Sequence, residues 1–344
     1  MYNLAMKVSE LGEFRLIDLL ADAAARSKPA EASSWQQVLV GIGDDAAAWR
    51  SDASVQLATT DTLVQDVHFT LDTIAWEDLG WKALAVNLSD IAAMGAVPRY
   101  ALLSLALPGD SEVEDMAALY RGMAKLANQF GVALVGGDIA TAPLVVITVA
   151  LWGNGLGGDD LMLTRSAAVP GDRIAVTGHL GSSAAGLKML RQKLRFEPET
   201  TAFLKEAHLR PHPRVAEGQM LARHGVKAAI DISDGLIADL AHVCRASKVA
   251  ARIRVDRVPV HPRLRASFKD DPLGLALSGG EDYELLFTAR RGMIDRVEKA
   301  ADCPISIIGE IVRGEPGTVT LTDEAGKAFD WQGRGWEHFV STGD

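Results

Sequence analysis

Acidic side chains stand beside Gly, Ser or Thr at five points of the sequence, each next to an apolar run. The five motifs are Gly43-Asp44-Asp45, Thr59-Thr60-Asp61, Ser89-Asp90, Gly136-Gly137-Asp138 and Asp231-Ile232-Ser233-Asp234. Oxygen ligands without a His or Cys cluster select a hard cation, Mg²⁺ before Zn²⁺. The pattern therefore predicts that these acids form the wall of a magnesium site.

Asp90 is the most informative of these acids because the segment around it is apolar. The Ala- and Leu-rich stretch from Asp78 to Gly95 predicts a helix on which Asn87 and Asp90, three residues apart, share one face. An unpaired buried carboxylate is costly, so an Asp in such a place needs a partner. The alternative is a capped turn, or a solvated Asp on the exposed side. Adjacent carboxylates such as Asp44 and Asp45 also repel, and a cation between them relieves that repulsion.

The elements that must position the acids alternate between strands and helices. In the first half, the hydrophobic periodicity predicts helices over 13–25, 78–95 and 112–130 and strands over 38–43, 54–60, 100–107, 132–135 and 144–152. Strands that alternate with helices but also pair as neighbours imply an α+β sheet with helices on one face. Most of the acids then follow strand ends, where functional sites are usually built.

The glycine-rich stretch 153–158 predicts a domain boundary. The boundary gives an N-terminal α+β domain, 1–153, and a C-terminal α/β domain, 154–344, as a chain of 344 residues leads one to expect. The stretch also matches G-x-G-x-x-G, but Asp159 and Asp160 fall where a dinucleotide pyrophosphate would lie. A hairpin turn is the better interpretation.

The second half predicts strands over 173–177, 228–232 and 285–288 and helices from 184, over 210–224 and over 236–247, the last capped by Ser233 or Asp234. The glycine-rich turn 178–183 could hold phosphate on its backbone N–H groups. The chain contains no Gly-Lys-Ser/Thr ending of a P-loop. A bound nucleotide would therefore be held in another way.

Composition excludes several classes of partner. A net charge of -10 and a pI near 5.3, without a Lys/Arg run, argue against nucleic acid. The longest apolar run, 144–152, is too short to span a bilayer, and charged residues interrupt the N-terminal segment, so neither a membrane partner nor a signal peptide is expected. Cys244 and Cys303 form neither a disulfide framework nor a zinc motif, which favours a reducing cytoplasm.

Several single residues have both a structural and a functional interpretation. His68 in a polar loop is a surface or packing residue or a ligand, and Glu281 shapes a turn or binds. Arg165 is a solvated residue after an apolar run or a forked partner for phosphate. Trp331 and Trp336 pack in a core or stack on an aromatic substrate.

At these residues the chain resembles the thiamine-monophosphate kinases, a family within the aminoimidazole ribonucleotide synthetase superfamily of ATP-dependent enzymes. The motifs that carry the resemblance span nearly the whole chain: Gly41-Ile42-Gly43-Asp44-Asp45-Ala46, Thr60-Asp61-Thr62-Leu63-Val64 with His68-Phe69, Lys82-Ala83-Leu84-Ala85-Val86-Asn87-Leu88-Ser89-Asp90, Gly136-Gly137-Asp138, Leu163-Thr164-Arg165-Ser166, Asp231-Ile232-Ser233-Asp234-Gly235-Leu236 and Ser278-Gly279-Gly280-Glu281-Asp282-Tyr283-Glu284. Gly-Asp-Asp and Gly-Gly-Asp are shared with sister families, whereas His68-Phe69 and the Glu281 motif point to this family. Position 59 is Thr where Ser is common, and 330–336 is two residues longer than usual.

The resemblance implies Mg-dependent transfer of a phosphoryl group from ATP to thiamine monophosphate, giving thiamine diphosphate and ADP, the last step of thiamine diphosphate biosynthesis. The Mg²⁺ ligands that it implies are Asp45, Thr59, Thr60, Asp61, Asp90, Asp138, Asp231 and Asp234, of which Asp45, Asp61, Asp90, Asp138 and Asp231 form the catalytic set. It assigns Gly137, Asp138, Arg165 and Ser233 to ATP, and His68, Glu281 and Trp336 to thiamine phosphate. It also implies a homodimer in which strands of the N-terminal domains pair, and a C-terminal domain that closes over the ATP.

The residue inventory suits this chemistry independently. A phosphate monoester oxygen is already ionised near neutral pH, so its attack on a γ-phosphate needs no strong general base. The obstacle is repulsion between two polyanions, which several Mg²⁺ ions between carboxylates would neutralise in place of a P-loop lysine. Two rival functions stay open: a sister ATP-dependent synthetase for another phosphorylated or amide substrate, and a non-catalytic Mg-nucleotide sensor.

Overall fold

The chain folds into two six-stranded sheets, each with helices packed against it. The computed structural model describes residues 38–40, 44, 47–51, 54–157, 161–331 and 333. The helix predicted over 13–25 lies outside these residues, as do Asp45 and Trp336. None of the helices within the described ranges has the length and apolar character needed to cross a bilayer.

The first sheet has the strand order β1-β2-β3-β6-β4-β5. Its domain contains β1 (Val38–Val40), β2 (Ala47–Ser51), β3 (Ser54–Val64), α1 (Trp76–Ala93), β4 (Val97–Leu107), α2 (Val113–Phe130), β5 (Ala133–Thr141) and β6 (Val146–Asn154). Only β4 and β5 pair in parallel; the other pairs are antiparallel. Side chains such as Leu103 and Ile147 pack with α1 and α2 in one core, while Tyr100 and Leu102 on the opposite face of β4 are exposed.

The second sheet has the strand order β12-β9-β11-β7-β10-β8. Its domain contains β7 (Arg173–Thr177), α3 (Ser182–Arg191), α4 (Pro198–Leu209), α5 (Val215–Arg223), β8 (Ala228–Asp231), α6 (Leu236–Ser247), β9 (Ala250–Arg254), α7 (Pro262–Ser267), α8 (Pro272–Ser278), β10 (Leu285–Ala289), α9 (Arg291–Ala300), β11 (Ile305–Val312) and β12 (Val319–Thr322). A second core around Val176, Leu240 and Leu286 fills its interior. Both domains are thus mixed α/β structures, as predicted.

Helix α1 is the element that joins the two domains. It packs on β3 and β6 on one side and on α5 and β8 on the other. Gly218 of α5 allows this contact, because a Cβ there would fall 2.0 Å from the carbonyl oxygen of Ala92. The indole Nε1 of Trp81 donates a hydrogen bond to the carbonyl oxygen of Pro211 at 2.9 Å. Because both sides of α1 are covered, its polar residues must find partners in one domain or the other.

Two strands run further than the sequence predicts. β3 continues to Val64 and β5 to Thr141, so Asp61 and the motif Gly136-Gly137-Asp138 lie within strands and not after their ends. Pairing explains the difference, because Asp61 faces Val149 of β6 and Asp138 faces Ser104 of β4 in continuous ladders. A long neighbour satisfies the backbone groups of residues that local sequence marks as turn formers.

Three further predictions need correction. The helix predicted from 210 begins at Val215, because Pro211 and Pro213 precede it and supply no N–H group. Helix α6 has the predicted bounds, but Gly235 is its N-cap residue in place of Ser233 or Asp234. The hairpin predicted at 153–158 does not follow β6 in the described residues, since Thr164 instead forms a parallel bridge with Ala228 of the second domain.

Candidate active site

Two predicted metal ligands meet where β3 contacts α1. The Oγ1 of Thr59 donates to Oδ2 of Asp90 at 2.5 Å, and the backbone N–H of Asp61 donates to Oδ1 of Asn87 at 3.0 Å. Thr59 and Asp61 are two residues apart on a strand and so point to the same face. Asn87 and Asp90 point to this face from the helix, as their spacing predicts.

Asp231 joins this group from the second domain. It is the last residue of β8 and is 3% exposed. The hydroxyl of Ser89 on α1 donates to its Oδ2 at 2.6 Å. Ser89 and Asp90 are adjacent on α1, so the helix brings the Asp231 carboxylate close to those of Asp90 and Asp61.

The three carboxylates influence each other's ionisation. Burial, and then the charge of Asp231, raises the pKa of Asp61 to about 6. Burial raises the pKa of Asp90 well above its usual value, and the charges of Asp61 and Asp231 add to the shift. Burial also raises the pKa of Asp231, although the Ser89 hydrogen bond opposes it. Such a group is poorly tolerated in its fully ionised form without a cation.

The donor set fits Mg²⁺ in kind. Carboxylate and hydroxyl oxygens are the ligands of a hard cation, and Mg²⁺ usually takes one or two carboxylates and completes its shell with water and substrate phosphates. In the part of the chain that the structure describes, no three His, Cys, Asp or Glu side chains stand close enough to hold one ion among themselves. The arrangement therefore suits ions that share their ligands with a phosphorylated substrate.

The loop that carries Ser233 and Asp234 is held from inside by Asp239. Its Oδ2 accepts the backbone N–H groups of Ser233, Asp234 and Gly235 at 3.1, 3.1 and 3.0 Å. Burial, followed by the charges of Asp234 and Asp231, raises the pKa of Asp239 well above normal. Gly280 packs behind this loop, because a Cβ there would fall 2.4 Å from the carbonyl oxygen of Ser233.

Arg165 lies near the acids of both domains. Its backbone N–H donates to Oδ2 of Asp44 at 3.1 Å, and its Nε is 3.6 Å from Oδ1 of Asp44. Burial raises the pKa of Asp44 to about 6, and the charge of Arg165 opposes that shift. Arg165 also lowers the pKa of Asp231, against the larger effect of burial. Its guanidinium thus supplies positive charge beside the carboxylate group.

Three predicted residues are not brought to the carboxylates within one chain. Gly137 and Asp138 lie on β5, an edge strand that is three positions from β3 in the sheet, or about 14 Å at the usual strand spacing. Both are exposed. Thr60 points to the sheet face opposite Asp61, and its hydroxyl donates to the carbonyl oxygen of Val149 at 3.0 Å. Strand alternation separates Thr60 from its neighbours, and edge position separates Asp138.

Glu281 is held by two side chains from different domains. The Nζ of Lys82 on α1 is 2.8 Å from its Oε1, and the Nδ1 of His208 on α4 is 3.3 Å from its Oε2. Its backbone N–H donates to the carbonyl oxygen of Ser233 at 2.7 Å, although its φ of 64° is unfavourable for a residue with a side chain. These contacts fix the Glu281 carboxylate next to the loop of Ser233 and Asp234.

The residues after Glu281 are fixed by buried partners. Asp282 accepts the backbone N–H groups of Gly181 and Ser183 at 2.6 and 3.2 Å, and burial raises its pKa to about 8. Two N–H groups of the turn 178–183 are therefore already bonded to a carboxylate and are not free to bind phosphate as the sequence interpretation requires. Glu284 accepts two hydrogen bonds from the guanidinium of Arg214, at 2.7 and 2.6 Å. The segment is a rigid support and not only a turn.

His68 lies close enough to Glu281 to lower its pKa. Its Nδ1 accepts the backbone N–H of Val64 at 3.0 Å, so the proton of the neutral ring is on Nε2. The structure thus brings His68 and Glu281 near each other. Trp331 is half-buried and packs against the second core, whereas Trp336 falls outside the described residues.

Sequence reasoning missed four residues that support the site: Lys82, Ser89, His208 and Asp239. Lys82, Ser89 and His208 meet their partners only through the tertiary fold. Asp239 lies inside a predicted helix, where nothing in the local sequence marks it as a partner of the preceding loop. Lys82 and Ser89 did carry a usable signal, because they are polar residues seven apart on the same apolar helix as Asp90. That spacing is two helical turns and gives one stripe.

Two family models match the chain: the N-terminal domain of AIR synthase related protein over residues 43–156, and the C-terminal domain of AIR synthase related protein over residues 169–322. The thiamine-monophosphate kinase of Salmonella typhimurium (strain LT2) is 42% identical over 338 residues, which cover 96% of this chain and 99% of that protein. That of Bacillus subtilis (strain 168) is 38% identical over 311 residues, covering 87% and 93%.

Solved structures agree with these relatives. The structure of AaThiL complexed with AMPPCP and TMP superposes with a TM-score of 0.83 at 33% identity and covers 98% of this chain and 100% of that one. The crystal structure of thiamine-monophosphate kinase from Stenotrophomonas maltophilia K279a has a TM-score of 0.73 at 37% identity, covering 90% and 96%. The similarity therefore extends over both domains.

Proposed function

The chain belongs to the AIR synthase related protein family, and we propose that it transfers a phosphoryl group from ATP to thiamine monophosphate, giving thiamine diphosphate and ADP. This is the final step of thiamine diphosphate biosynthesis. Curated relatives that match over most of the chain include thiamine-monophosphate kinases, and AaThiL binds an ATP analogue and TMP. The carrying observation is that α1 brings Asp61, Asp90 and Asp231 together and also pairs with Glu281 through Lys82.

The residues of this chain have distinct roles in the proposed reaction. Asp61, Asp90 and Asp231 hold Mg²⁺, together with Asp45 and the hydroxyl of Thr59. When bound, Mg²⁺ neutralises phosphate charge and aligns the attacking and leaving oxygens. Ser233 contacts ATP from the loop that Asp239 holds in place, and Asp234 adds a further carboxylate there.

The phosphate groups also need positive charge from the protein. Arg165 supplies a guanidinium that can bind phosphate oxygens in a forked geometry. On the other side, Glu281 and His68 hold the thiamine part of the acceptor, with Trp336 as a stacking partner. No side chain is needed as a strong base, because the acceptor phosphate is already ionised near neutral pH.

A homodimer would complete this site. The face and edge of the first sheet that no element in the described ranges covers carry exposed apolar residues, among them Tyr100 (54% exposed) and Ile139 (69% exposed). On β4, Leu103 points to the helices whereas its neighbour Leu102 is exposed, so Leu102 is the contact residue on this strand. A two-fold pairing through this face would bring Gly137, Asp138 and Thr60 to a shared site.

The domain division and the location follow from the same proposal. Residues 1–153 form the metal-binding and dimerisation domain, and residues 154–344 form the domain that closes over ATP. Cys244 and Cys303 are both free thiols, which fits the reducing cytoplasm in which ATP and thiamine phosphates are used.

One assay tests the proposal against its rivals. The protein is incubated with Mg-ATP and thiamine monophosphate, and both products are quantified. We expect thiamine diphosphate and ADP in equal amounts, neither without Mg²⁺, and none from the matched variant Asp90→Asn. ATP that is bound but never consumed would identify a nucleotide sensor. ADP release that depends on another phosphorylated or amide substrate would identify a sister synthetase.

A further inference from the structure

Lys82 is a charged side chain with almost no contact with solvent. It lies on α1 and its side chain is 2% exposed. A buried ammonium group is strongly destabilising unless it is paired and hydrogen-bonded. Its Nζ is 2.8 Å from Oε1 of Glu281, in the other domain. The proposed reaction gives Lys82 no contact with substrate, so the energetic cost of burying it needs another explanation.

Glu281, in contrast, is accessible. Its side chain is 27% exposed, so the carboxylate has partners on its buried side and reaches the surface on the other side. The Nζ of Lys82 contacts Oε1 of Glu281. The Nδ1 of His208 contacts Oε2 and also lies 3.1 Å from Oγ of Ser183. His68 also lies close enough to influence the pKa of Glu281. The contacts with Lys82 and His208 therefore fix the direction in which the carboxylate points.

Lys82 is also the group that keeps this carboxylate charged. Burial alone would raise the pKa of Glu281, but Lys82 first, and then His208 and His68, hold it below its usual value. Burial and Lys82 lower the pKa of His208 to about 4, so His208 is neutral at physiological pH. Glu281 in turn raises the pKa of both Asp282 and Tyr283, although burial is the larger cause for each.

We propose that Lys82 is a positioning residue for substrate recognition: from outside the pocket it holds Glu281 ionised and directed at the substrate. The ligand class that such a carboxylate selects is a cationic or hydrogen-donating heteroaromatic ring that bears a phosphate. This inference rests on the proposed function, in which Glu281 contacts the thiamine part of thiamine monophosphate. On this proposal, the Lys82–Glu281 ion pair, which joins the two domains, determines which type of ring the protein binds.

The test measures the affinity for thiamine monophosphate by calorimetry between pH 5.5 and 8.5, using the full chain. The variants are Lys82→Met, which removes the charge and the donor, and Lys82→Gln, which removes only the charge. Lys205→Met, at an exposed position of α4, is the matched control. ATP affinity is measured in parallel, and the melting temperature of each variant reports folding.

The phosphate of thiamine monophosphate titrates within this range, so each variant is compared with the parent at the same pH, and Lys205→Met should match the parent throughout. Lys82→Met should bind more weakly at every pH, and the loss should grow by about tenfold for each pH unit below the raised pKa of Glu281. Lys82→Gln should approach the parent at pH 8.5 and weaken as pH falls. ATP affinity should change less than about twofold in all of them, a difference too small to reflect a lost contact.

A coupled pair also predicts non-additivity. The double variant Lys82→Met/Glu281→Gln should bind thiamine monophosphate no more weakly than Glu281→Gln alone, and the ratio of the two affinities should not depend on pH in this range. It should also melt at a higher temperature than Glu281→Gln, in which the buried ammonium has lost its counter-charge.

Two outcomes overturn the inference: a parental pH profile in Lys82→Gln, or losses for Lys82→Met and Glu281→Gln that simply add. If Lys82→Met does not fold, Lys82→Gln and Glu281→Gln decide the matter through the same pH profiles. If the parent itself neither binds nor phosphorylates thiamine monophosphate, the proposed function fails, and the inference with it. A parent that turns over normally beside a Lys82→Gln variant with an unchanged profile rejects the inference alone.

Discussion

Ser89 and Asp231 are joined by a hydrogen bond of 2.6 Å that crosses from α1 of the first domain to the end of β8 in the second. Asp231 is buried, and this bond opposes the rise in its pKa that burial causes. The bond therefore keeps the carboxylate closer to the ionised form that a metal ion requires.

The variant Ser89→Ala should need more Mg²⁺ for activity. Without the hydroxyl, the pKa of Asp231 rises further, and protons compete better with the metal. We expect the Mg²⁺ concentration for half-maximal activity at pH 7 to rise by about tenfold or more, since a hydrogen bond to a charged group contributes about 1.5–3 kcal/mol. The difference should shrink between pH 7 and pH 8.5, because protons compete less well for Asp231 as the pH rises. Thr318→Ala, which removes an exposed hydroxyl in the second domain, serves as control, and equal Mg²⁺ requirements of Ser89→Ala and the parent at both pH values would contradict the assignment.

The variant Asp90→Asn should be more stable than the parent in the absence of metal. Burial, Asp61 and Asp231 raise the pKa of Asp90, and burial raises that of Asp61 to about 6. A carboxyl whose pKa is higher in the folded state contributes stability at low pH and loses it as pH rises through that value. In EDTA, the free energy of unfolding of the parent should thus fall from about pH 4 to pH 7 relative to the variant.

With Mg²⁺ the order of stability should reverse, because the parent then binds the ion and the variant binds it less well. Turnover of Asp90→Asn should be lower by orders of magnitude, each decade being about 1.4 kcal/mol of transition-state stabilisation. Urea unfolding with and without Mg²⁺, together with kcat, measures both effects. A variant with parental stability, parental Mg²⁺ binding and parental kcat would show that Asp90 is not a ligand.

Asp239 should control ATP affinity without contacting ATP. Its Oδ2 accepts three backbone N–H groups of the loop 233–235. Asp239→Ala leaves these donors without that acceptor, and we expect the free energy of unfolding to drop by about 2 kcal/mol or more, with a higher KM for ATP. Asp239→Asn keeps one carbonyl oxygen and should show a smaller loss of both. A stable variant with an unchanged KM for ATP would mean that the loop does not depend on this acid.

The variant Ile139→Lys should dissociate the proposed homodimer. Ile139 is 69% exposed on the edge strand β5, where an apolar side chain of this size is expected to be covered in an assembly. A lysine there would place a charge in the interface. Sedimentation velocity at micromolar concentration should show a dimer for the parent and a monomer with reduced activity for the variant. Val169→Lys, at an exposed apolar position of the second domain, should leave the dimer intact; a monomeric parent would refute the assembly.

Local sequence was sufficient for some of the elements and for the residues that share one face of a helix or strand, whereas elements such as α4, β9 and β11 were not predicted. The period of the apolar residues predicts α6 at Leu236–Ser247, and the three-residue spacing of Asn87 and Asp90 predicts the face that they present to β3. These features depend on backbone geometry alone, which repeats every 3.6 or 2 residues. The acids that the resemblance grouped were harder to place, because sheet order decides which strands are neighbours.

Other parts of the site depend on contacts that no local pattern records. The Lys82 to Glu281 pair and the Ser89 to Asp231 bond join residues that are distant in sequence. Nothing in the sequence around Gly-Gly-Asp138 reveals that this residue lies on an edge strand three positions from β3. Burial of a polar residue is detectable from an apolar helix pattern, but the partner that satisfies it is determined by the tertiary fold.

The position of α1 between the domains has a consequence during synthesis on the ribosome. Ser89 and Asp231 are separated by 142 residues, which at a translation rate of about 5–20 residues per second is a delay on the order of ten seconds. The last strand of the first domain, β6, ends at Asn154, so in the later part of that interval the first domain has been made while the side of α1 that α5 and β8 later cover is still open. Lys82, Ser89 and the apolar residues beside them then lie together on an exposed surface of the growing chain.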